Sequence, residues 1–390
     1  MSNATPRWPA LEWESRSWQP TAGFGRGRYK ASVPPLIAAR SPLPSPEAAE
    51  AATTAANALS RFDAELGHRV AAFAPVLLRS EAASSSQIEN LTASARAIFS
   101  AELGAKGSRN AELIASNTQS LHAALDLSTA ISDDAIREMH RILMAAQPRH
   151  TPGEWRDQAV WIGTRTDSPI GAEFVAPDHS RIPTLISDLV AFARRQDLAP
   201  LIAVAVAHAQ FETIHPFSDG NGRTGRALAQ AMLRHRGVTQ NVAVPVSAGL
   251  LADVEGYHRA LTDYREGDVS PVVLAFANAS IRAVSNARQL ITDIDEIQQS
   301  WEARLTARRS SNAWKLLNII ARRPVLDAVT AAEELGIQRP NAYPPLQALV
   351  DAGILTAKTE HNLGPFWLST EILGAIDAFA ARAGRREQPR

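Results

Sequence analysis

His215-Pro216-Phe217-Ser218-Asp219-Gly220-Asn221-Gly222-Arg223-Thr224-Gly225-Arg226 is the stretch on which the reading of the whole chain turns. It brings an imidazole, a carboxylate, an asparagine between two glycines, and two arginines into one short segment. Residues 201–213 before it read as a strongly apolar helix, and residues 227–236 after it as a second helix. A polar turn rich in phosphate-handling groups between two helices is an unusual thing to build for stability alone, and points to an active site. Pro216 disfavours the α region for the residue before it, so the first helix should end with His215 presented beyond it. Phe217 is the apolar anchor of the loop. Gly220 and Gly222 permit backbone conformations closed to other residues and let a ligand approach the main chain. A helix starting near Asn221 or Gly222 aims its free N–H groups and positive dipole end at the turn, which suits a phosphate. Asp219 makes sense there as a Mg²⁺ ligand, because Mg²⁺ is commonly held by a carboxylate together with substrate phosphates. Arg223 and Arg226, three apart on one helical face, can clamp further phosphates. His215, titrating near neutrality, is the natural general base. The sum is a nucleotide triphosphate site with a base over it.

The same residues resemble the Fic signature, His-x-Phe-x-Asp/Glu-Gly-Asn-Gly-Arg-x-x-Arg, at every defined position, with Phe211-Glu212-Thr213-Ile214 leading into it. The resemblance implies an α-helical core that transfers AMP from ATP to a hydroxyl side chain of a protein and releases pyrophosphate. It implies that His215 deprotonates the target hydroxyl and that Asp219 binds Mg²⁺. Gly220, Asn221 and Gly222 would form the anion hole for the α- and β-phosphates. Arg223 and Arg226 would hold the distal phosphates. A kinase-like branch of the family has a lysine where Gly222 stands and lacks the last arginine; this chain departs from it at both points, which favours AMP transfer over phosphoryl transfer.

Composition is compatible with this and excludes other classes. The 390 residues allow two or three domains, and 40 basic against 40 acidic residues give no bulk pull toward nucleic acid or membrane surfaces. There is no cysteine, so disulfide and thiol chemistry are excluded. Residues 1–28 are polar and carry no secretory signal. The most apolar run, near residues 198–209, is too short to span a membrane and contains His208. A soluble, cytoplasmic, mainly α protein is expected.

Taken in order, residues 1–45 read as an irregular arm with many prolines, whose Trp8, Trp13 and Trp18 dock it onto the protein's own surface. Ser45 and Pro46 read as N-cap and first residue of an alanine-rich helix to about Leu66, within a helical region over 46–115. In that region Ser85-Ser86-Gln87-Ile88-Glu89-Asn90 resembles the inhibitory-helix motif of Fic proteins, Ser/Thr-x-x-x-Glu-Gly/Asn, in the subgroup where that helix precedes the core. The resemblance implies that Ser85, Glu89 and Asn90 are inhibitory, with Glu89 pairing with Arg226 and displacing the nucleotide from in-line geometry.

The catalytic core is expected over 116–283. It begins with helical patterns and a Ser132 cap. Two short strands follow, Val160, Trp161, Ile162 and Gly163 in the first, residues 172–177 in the second, around a turn near Asp167-Ser168-Pro169. The pair resembles the Fic flap, which receives the target segment as an added strand. His208 reads as a hydrogen-bonded core histidine, and Glu212 as a brace for the catalytic loop. Tyr257 and Leu261 are placed beside the adenine by the resemblance, with His258 standing where family members often have a second tyrosine. Residues 284–308 read as a linker helix. Residues 309–390 read as helix, helix-turn-helix and hairpin, resembling a winged helix-turn-helix. Pro340, Pro344 and Pro345 fall where a recognition helix would make base contacts, and residues 311–370 hold five basic and five acidic residues. The wing at 360–364 has no arginine, so a docking or structural role is favoured over DNA binding. The expected partners are ATP and a hydroxyl-bearing target protein, with self-modification and a homodimer as further expectations. Two rival readings are a hydrolase that removes AMP from proteins and a nucleotide-sensing, DNA-binding regulator.

Overall fold

The computed structural model describes residues 8–19, 26–163, 167–360 and 364–384. In chain order it contains β1 (Glu12–Trp18), β2 (Gly27–Val33), α1 (Pro46–Leu66), α2 (Val70–Ile88), α3 (Ala95–Glu102), α4 (Arg109–Asp126), α5 (Asp133–Leu143), β3 (Trp161–Ile162) and β4 (Phe174–Val175). There follow α6 (Ile182–Ala193), α7 (Pro200–Ile214), α8 (Asn221–His235), α9 (Val246–Leu251), α10 (Val254–Arg265) and α11 (Ser270–Arg304). The last elements are α12 (Asn312–Arg322), β5 (Val325–Asp327), α13 (Ala328–Leu335), α14 (Tyr343–Asp351), β6 (Thr356–Glu360), β7 (Gly364–Leu368) and α15 (Thr370–Ala383). The fold is mainly α, as expected. Among the described residues no helix is long and apolar enough to cross a membrane.

Polar caps set where several helices begin. The Ser45 hydroxyl accepts from the Ala48 N–H at 3.2 Å with Pro46 as first helical residue, and the Ser132 hydroxyl accepts from the Ala135 N–H at 3.1 Å. Each satisfies an N–H that the helix itself leaves without a partner.

Two compact units partition the chain, and neither is one contiguous stretch. The first comprises residues 1–60, 119–240 and 253–280; the second comprises 61–118, 241–252 and 281–390. These units do not coincide with the boundaries expected from the sequence. The helical region over 46–115 is divided within α1, and residues 284–304 of the expected linker helix continue α11, a single 35-residue helix that begins at Ser270. Local composition changes at that point while the hydrogen-bonded ladder does not, which is why a charged surface read as a boundary.

In the first unit α7 is the central element. All its residues from Leu201 to Ile214 are buried, the behaviour of a helix that is apolar all round. It packs against α6, α8 and α10. The arm is not irregular: β1 and β2 form an antiparallel ladder from Glu12 opposite Val33 to Trp18 opposite Gly27. Its tryptophans touch the rest of the unit as expected, Trp8 buried and Trp13 still largely exposed. Trp8 lies 6.0 Å from the Tyr264 ring, Trp13 is edge-on to Phe174 at 6.3 Å, and Trp18 is edge-on to Trp161 at 5.7 Å. The salt bridges Arg181–Glu14 (2.8 Å) and Arg16–Asp178 (3.5 Å) flank this contact.

In the second unit α2 is the spine, with α9, α12 and α15 packed against it. Its small residues Ala82, Ser84, Ser85 and Ser86 are buried and allow close approach of neighbours. The Asn117 amide donates to the Ala82 carbonyl at 2.9 Å, and the buried Glu81 carboxylate accepts from the Ser247 N–H at 2.9 Å and its hydroxyl at 2.5 Å. The C-terminal elements run helix, strand, two helices and a strand pair, with sheet order β5-β7-β6, all antiparallel. Pro344 and Pro345 do not break the second of those helices. They sit in the first turn of α14, where a missing N–H costs nothing, and Pro340 falls in a separate short 3₁₀ turn. Residues 361–363 of the expected wing lie outside the described residues.

Candidate active site

The loop from His215 to Gly220 connects the end of α7 to the start of α8. His215 caps α7 in the left-handed region, at φ 50° and ψ 61°, with its N–H donating to the Phe211 carbonyl at 2.9 Å. Proline at the next position does expel it from the helix, but into the left-handed rather than the extended basin. That costs a non-glycine residue roughly 1–2 kcal/mol, so other contacts must hold it. The imidazole is 28% exposed. Its Nδ1 lies 3.4 Å from the Glu212 carbonyl oxygen and 4.0 Å from the Glu212 carboxylate. An Nδ1–H directed at that carbonyl leaves Nε2 as the basic nitrogen. Glu212 thus orients the His215 ring.

Phe217 is fully buried, stacked on His140 at 3.6 Å and tilted against Trp155 at 4.9 Å. Asn221 works in an unexpected way. Its Oδ1 accepts from the Phe217 N–H and its Nδ2 donates to the Phe217 carbonyl, both at 2.9 Å. The side chain therefore closes the loop, and of the residue's donors only the backbone N–H is left facing the helix mouth. Gly220 adopts φ 76° as N-cap of α8, and a Cβ there would meet Met144 Sδ at 3.0 Å. The first intrahelical bond of α8 runs from Thr224 N–H to Gly220 O at 3.0 Å, so the amides of Asn221, Gly222 and Arg223 precede the ladder. Arg223 and Arg226 are both buried in the first turns of that helix.

Asp219 directs Oδ1 to the Gly220 N–H at 2.6 Å, keeps its side chain 43% exposed, and has His150 Nε2 at 3.5 Å and Arg223 Nη2 at 3.9 Å. Among the described residues no group of three or more His, Cys, Asp or Glu is placed to hold a metal. A single half-exposed carboxylate fits Mg²⁺ only as an ion shared with a nucleotide's phosphates.

Two buried side chains that the sequence reading did not single out hold this loop. His140, on α5, has no exposed surface. Its Nδ1 accepts from the Gly153 N–H at 2.9 Å and its Nε2–H donates to the Asp219 carbonyl at 3.0 Å, which defines a neutral tautomer. Burial drives its pKa down to about 4. Arg156 is 3% exposed; its Nε donates to the His215 carbonyl (2.8 Å), Nη1 to Gln158 O (2.8 Å) and Nη2 to Pro177 O (2.6 Å). Its own N–H donates to Pro216 O at 3.0 Å. Burial lowers its pKa to about 10, which leaves it charged at neutral pH. A histidine on the apolar face of α5 beside Ile136, Met139 and Leu143 was the available signal for the first. For the second, only an arginine next to Trp155 in a segment without periodicity was visible.

The expected flap is a hairpin, though with strands shorter than anticipated: Trp161 pairs with Val175 and Ile162 with Phe174. The ladder is extended by Val160 O accepting from Ala176 N–H (3.1 Å) and Ile162 O from Glu173 N–H (3.0 Å). Trp161 is half-buried, whereas Ile162 and Gly163 are exposed; residues 164–166 lie outside the described residues. Tyr257, which the resemblance places beside the adenine, lies in the core. It is 3% exposed with its hydroxyl 2.7 Å from His208 Nε2, which also confirms His208 as a core histidine. The neighbours His258 and Leu261, with Trp13, Ile162, Phe174 and Arg265, line a groove of about 670 Å³. His258, Leu261 and Thr262 of α10 line that opening, and Tyr257 does not. Glu89 is exposed just past the last turn of α2, and Asn90 follows at φ 60°.

Residues 130–233 match the Fic/DOC family. Protein adenylyltransferase fic-1 of Caenorhabditis elegans is 30% identical over 189 residues, covering 48% of this chain and 34% of that protein. A protein of Aquifex aeolicus named probable protein adenylyltransferase aq_aa38 is 36% identical over 118 residues, 30% of this chain and 34% of its own length. The chain thus spans about a third of the length of the curated relatives it matches. A Fic family protein from Desulfovibrio desulfuricans G20 shares the fold, with a TM-score of 0.52 at 20% identity over 84% of this chain and 97% of that one. A matched family segment that ends within α8 and contains the whole loop, together with a shared fold, establishes that this chain carries a Fic domain.

Proposed function

We propose that the chain transfers AMP from ATP to a hydroxyl side chain (Tyr, Thr or Ser) of a protein. The observation that carries this reading is the juxtaposition at the α7–α8 loop: an imidazole whose Nδ1 faces Glu212, directly before a helix N-terminus that presents the amides of residues 221–223. His215 Nε2 takes the proton of the target hydroxyl, and the hydroxyl oxygen forms a bond to the α-phosphorus. The bond from that phosphorus to the bridging oxygen breaks, and pyrophosphate leaves. The amides and the two arginines hold the phosphates. Asp219 would hold Mg²⁺, which supplies charge neutralisation on the phosphates. The flap edge at Val160–Gly163 offers main-chain groups that accept the target as an added strand. The names of the relatives support the reaction type.

The regulatory part of the reading rests on the resemblance of residues 85–90 to the inhibitory motif, which assigns Glu89 to Arg226. The test uses ATP labelled at the α-phosphate with whole lysate and with the protein alone. Glu89→Gly should raise incorporation at least about tenfold, roughly 1.4 kcal/mol of released inhibition, and His215→Ala should abolish it. No incorporation by either the wild type or Glu89→Gly would end the transferase reading. Equal incorporation by both would end the inhibitory one.

A further inference from the structure

We propose that Arg156 is a positioning residue that sets the distance between the docked target strand and the base, an inference that rests on the adenylyl-transfer reading above. Three groups that must stay in register meet at one guanidinium. Its Nε holds the carbonyl of His215 at 2.8 Å, the residue that carries the base. Nη1 holds Gln158 O at 2.8 Å, three residues before β3, and Nη2 holds Pro177 O at 2.6 Å, two residues after β4. The two roots of the flap and the backbone of the base are thereby tied to a single rigid fork. Its main-chain N–H adds a fourth tie, to Pro216 O at 3.0 Å.

The need for such a tie follows from the backbone. His215 occupies the left-handed region at φ 50°, between a helix that has ended and a proline that cannot donate a hydrogen bond. Turning its peptide toward the more favourable extended basin would swing the carbonyl away from Nε and carry the imidazole with it. Arg156 opposes that rotation with a charge-assisted bond in a site that excludes water, where such bonds are strong. The flap has few resources of its own, since its strands pair over two residues each. An arginine suits the task because its planar fork addresses separate carbonyls in fixed directions, which a lysine cannot do.

Position, rather than nucleotide binding, is therefore what Arg156 controls. The phosphate-holding amides begin at Asn221, beyond the segment it grips. In the full-length Arg156→Ala and Arg156→Lys proteins, kcat for labelled-AMP incorporation should fall about 100-fold, the scale of a misplacement near 1 Å. The Kd for ATP, measured by calorimetry, should stay within about twofold. Guanidinium ion at tens of millimolar should restore at least about tenfold of the loss in Arg156→Ala and none in His215→Ala. Long-range ¹H–¹⁵N spectra, recorded without ATP or target, should report one His215 tautomer with the proton on Nδ1 in the wild type and a mixture in Arg156→Ala. A kcat within about threefold of wild type in both variants would overturn the proposal. So would loss of ATP affinity in parallel with kcat, absence of guanidinium rescue, or an unchanged tautomer. Should the wild type transfer no AMP at all, the activity reading falls, and the tautomer comparison alone decides whether Arg156 positions His215.

Discussion

Replacing His140 by phenylalanine tests how the loop is held. The aromatic plane stacked on Phe217 at 3.6 Å would be kept, while both hydrogen bonds, to Gly153 N–H and Asp219 O, would be lost. Each group left buried and unpaired costs roughly 1–3 kcal/mol, so the loss should be about 4 kcal/mol. That is a large share of a typical domain's stability of about 5–15 kcal/mol. The pH dependence carries the sharper signature. The folded pKa is lowered from 6.5 to about 4 because burial penalises the imidazolium. A depressed folded pKa means that the contribution of the neutral ring is fully present above pH 6.5. It is lost as pH falls toward 4, since the unfolded chain then binds a proton that the folded chain refuses. At about 1.4 kcal/mol per pKa unit the window amounts to about 3 kcal/mol. Urea unfolding at pH 7, 6, 5 and 4.5 should show wild type losing about 2 kcal/mol more than His140→Phe over the series, most of that window. Parallel stability curves for the two proteins would refute the assignment of a buried, neutral ring.

Three further outcomes follow from contacts in and beside the same loop. Asn221→Ala strips partners from both polar groups of Phe217 and should cost about 3 kcal/mol in denaturant unfolding, whereas Asn221→Asp should weaken ATP binding more than it weakens the fold, because it sets a carboxylate among anion-holding amides. Gly225→Ala would place a methyl group 2.6 Å from Glu212 Oε1 and 2.9 Å from the Phe211 ring; overpacking of this kind costs about 1–3 kcal/mol, and the displaced Glu212 should lower AMP incorporation beyond what the loss of stability explains.

Sequence reading succeeds where the governing physics is local. The Ser45-Pro46 and Ser132 starts, the end of α7 at Ile214, and the left-handed Gly220 each depend on a few adjacent residues. It fails where distant partners decide. Residues 12–18 and 27–33 alternate only weakly and are set among prolines, so their ladder is visible only once Trp13 and Trp18 find Phe174 and Trp161. The continuity of α11 hides behind a change in surface charge. Pro344 and Pro345 look like breakers until the helix is seen to start one residue earlier. Tyr257 carries its hydroxyl inward to His208, a choice that helical spacing alone does not dictate. For the loop itself, the helix end before it and the helix start after it were legible, but the side chains that hold it were not. His140 and Arg156 lie 75 and 59 positions before His215 in the chain, and no periodic pattern relates them to it.

That separation between working and supporting groups explains how a short polar loop keeps its chemistry available. On the proposed adenylyl-transfer reading, the atoms of each loop residue that are held differ from the atoms that would act. Asp219 is fixed through its carbonyl by His140, while its carboxylate stays 43% exposed. His215 is fixed through its carbonyl by Arg156, leaving the orientation of the ring to Glu212. Asn221 is fixed through its side-chain amide, so that its N–H stands at the mouth of α8. A loop gripped by its working atoms would have to break those contacts before binding a ligand. A loop gripped elsewhere meets the ligand already in place, and less of the binding energy is consumed by reorganisation. On this argument, substitutions of the supports should lower kcat at nearly constant nucleotide affinity, whereas substitutions at the N-terminus of α8 should weaken nucleotide affinity first.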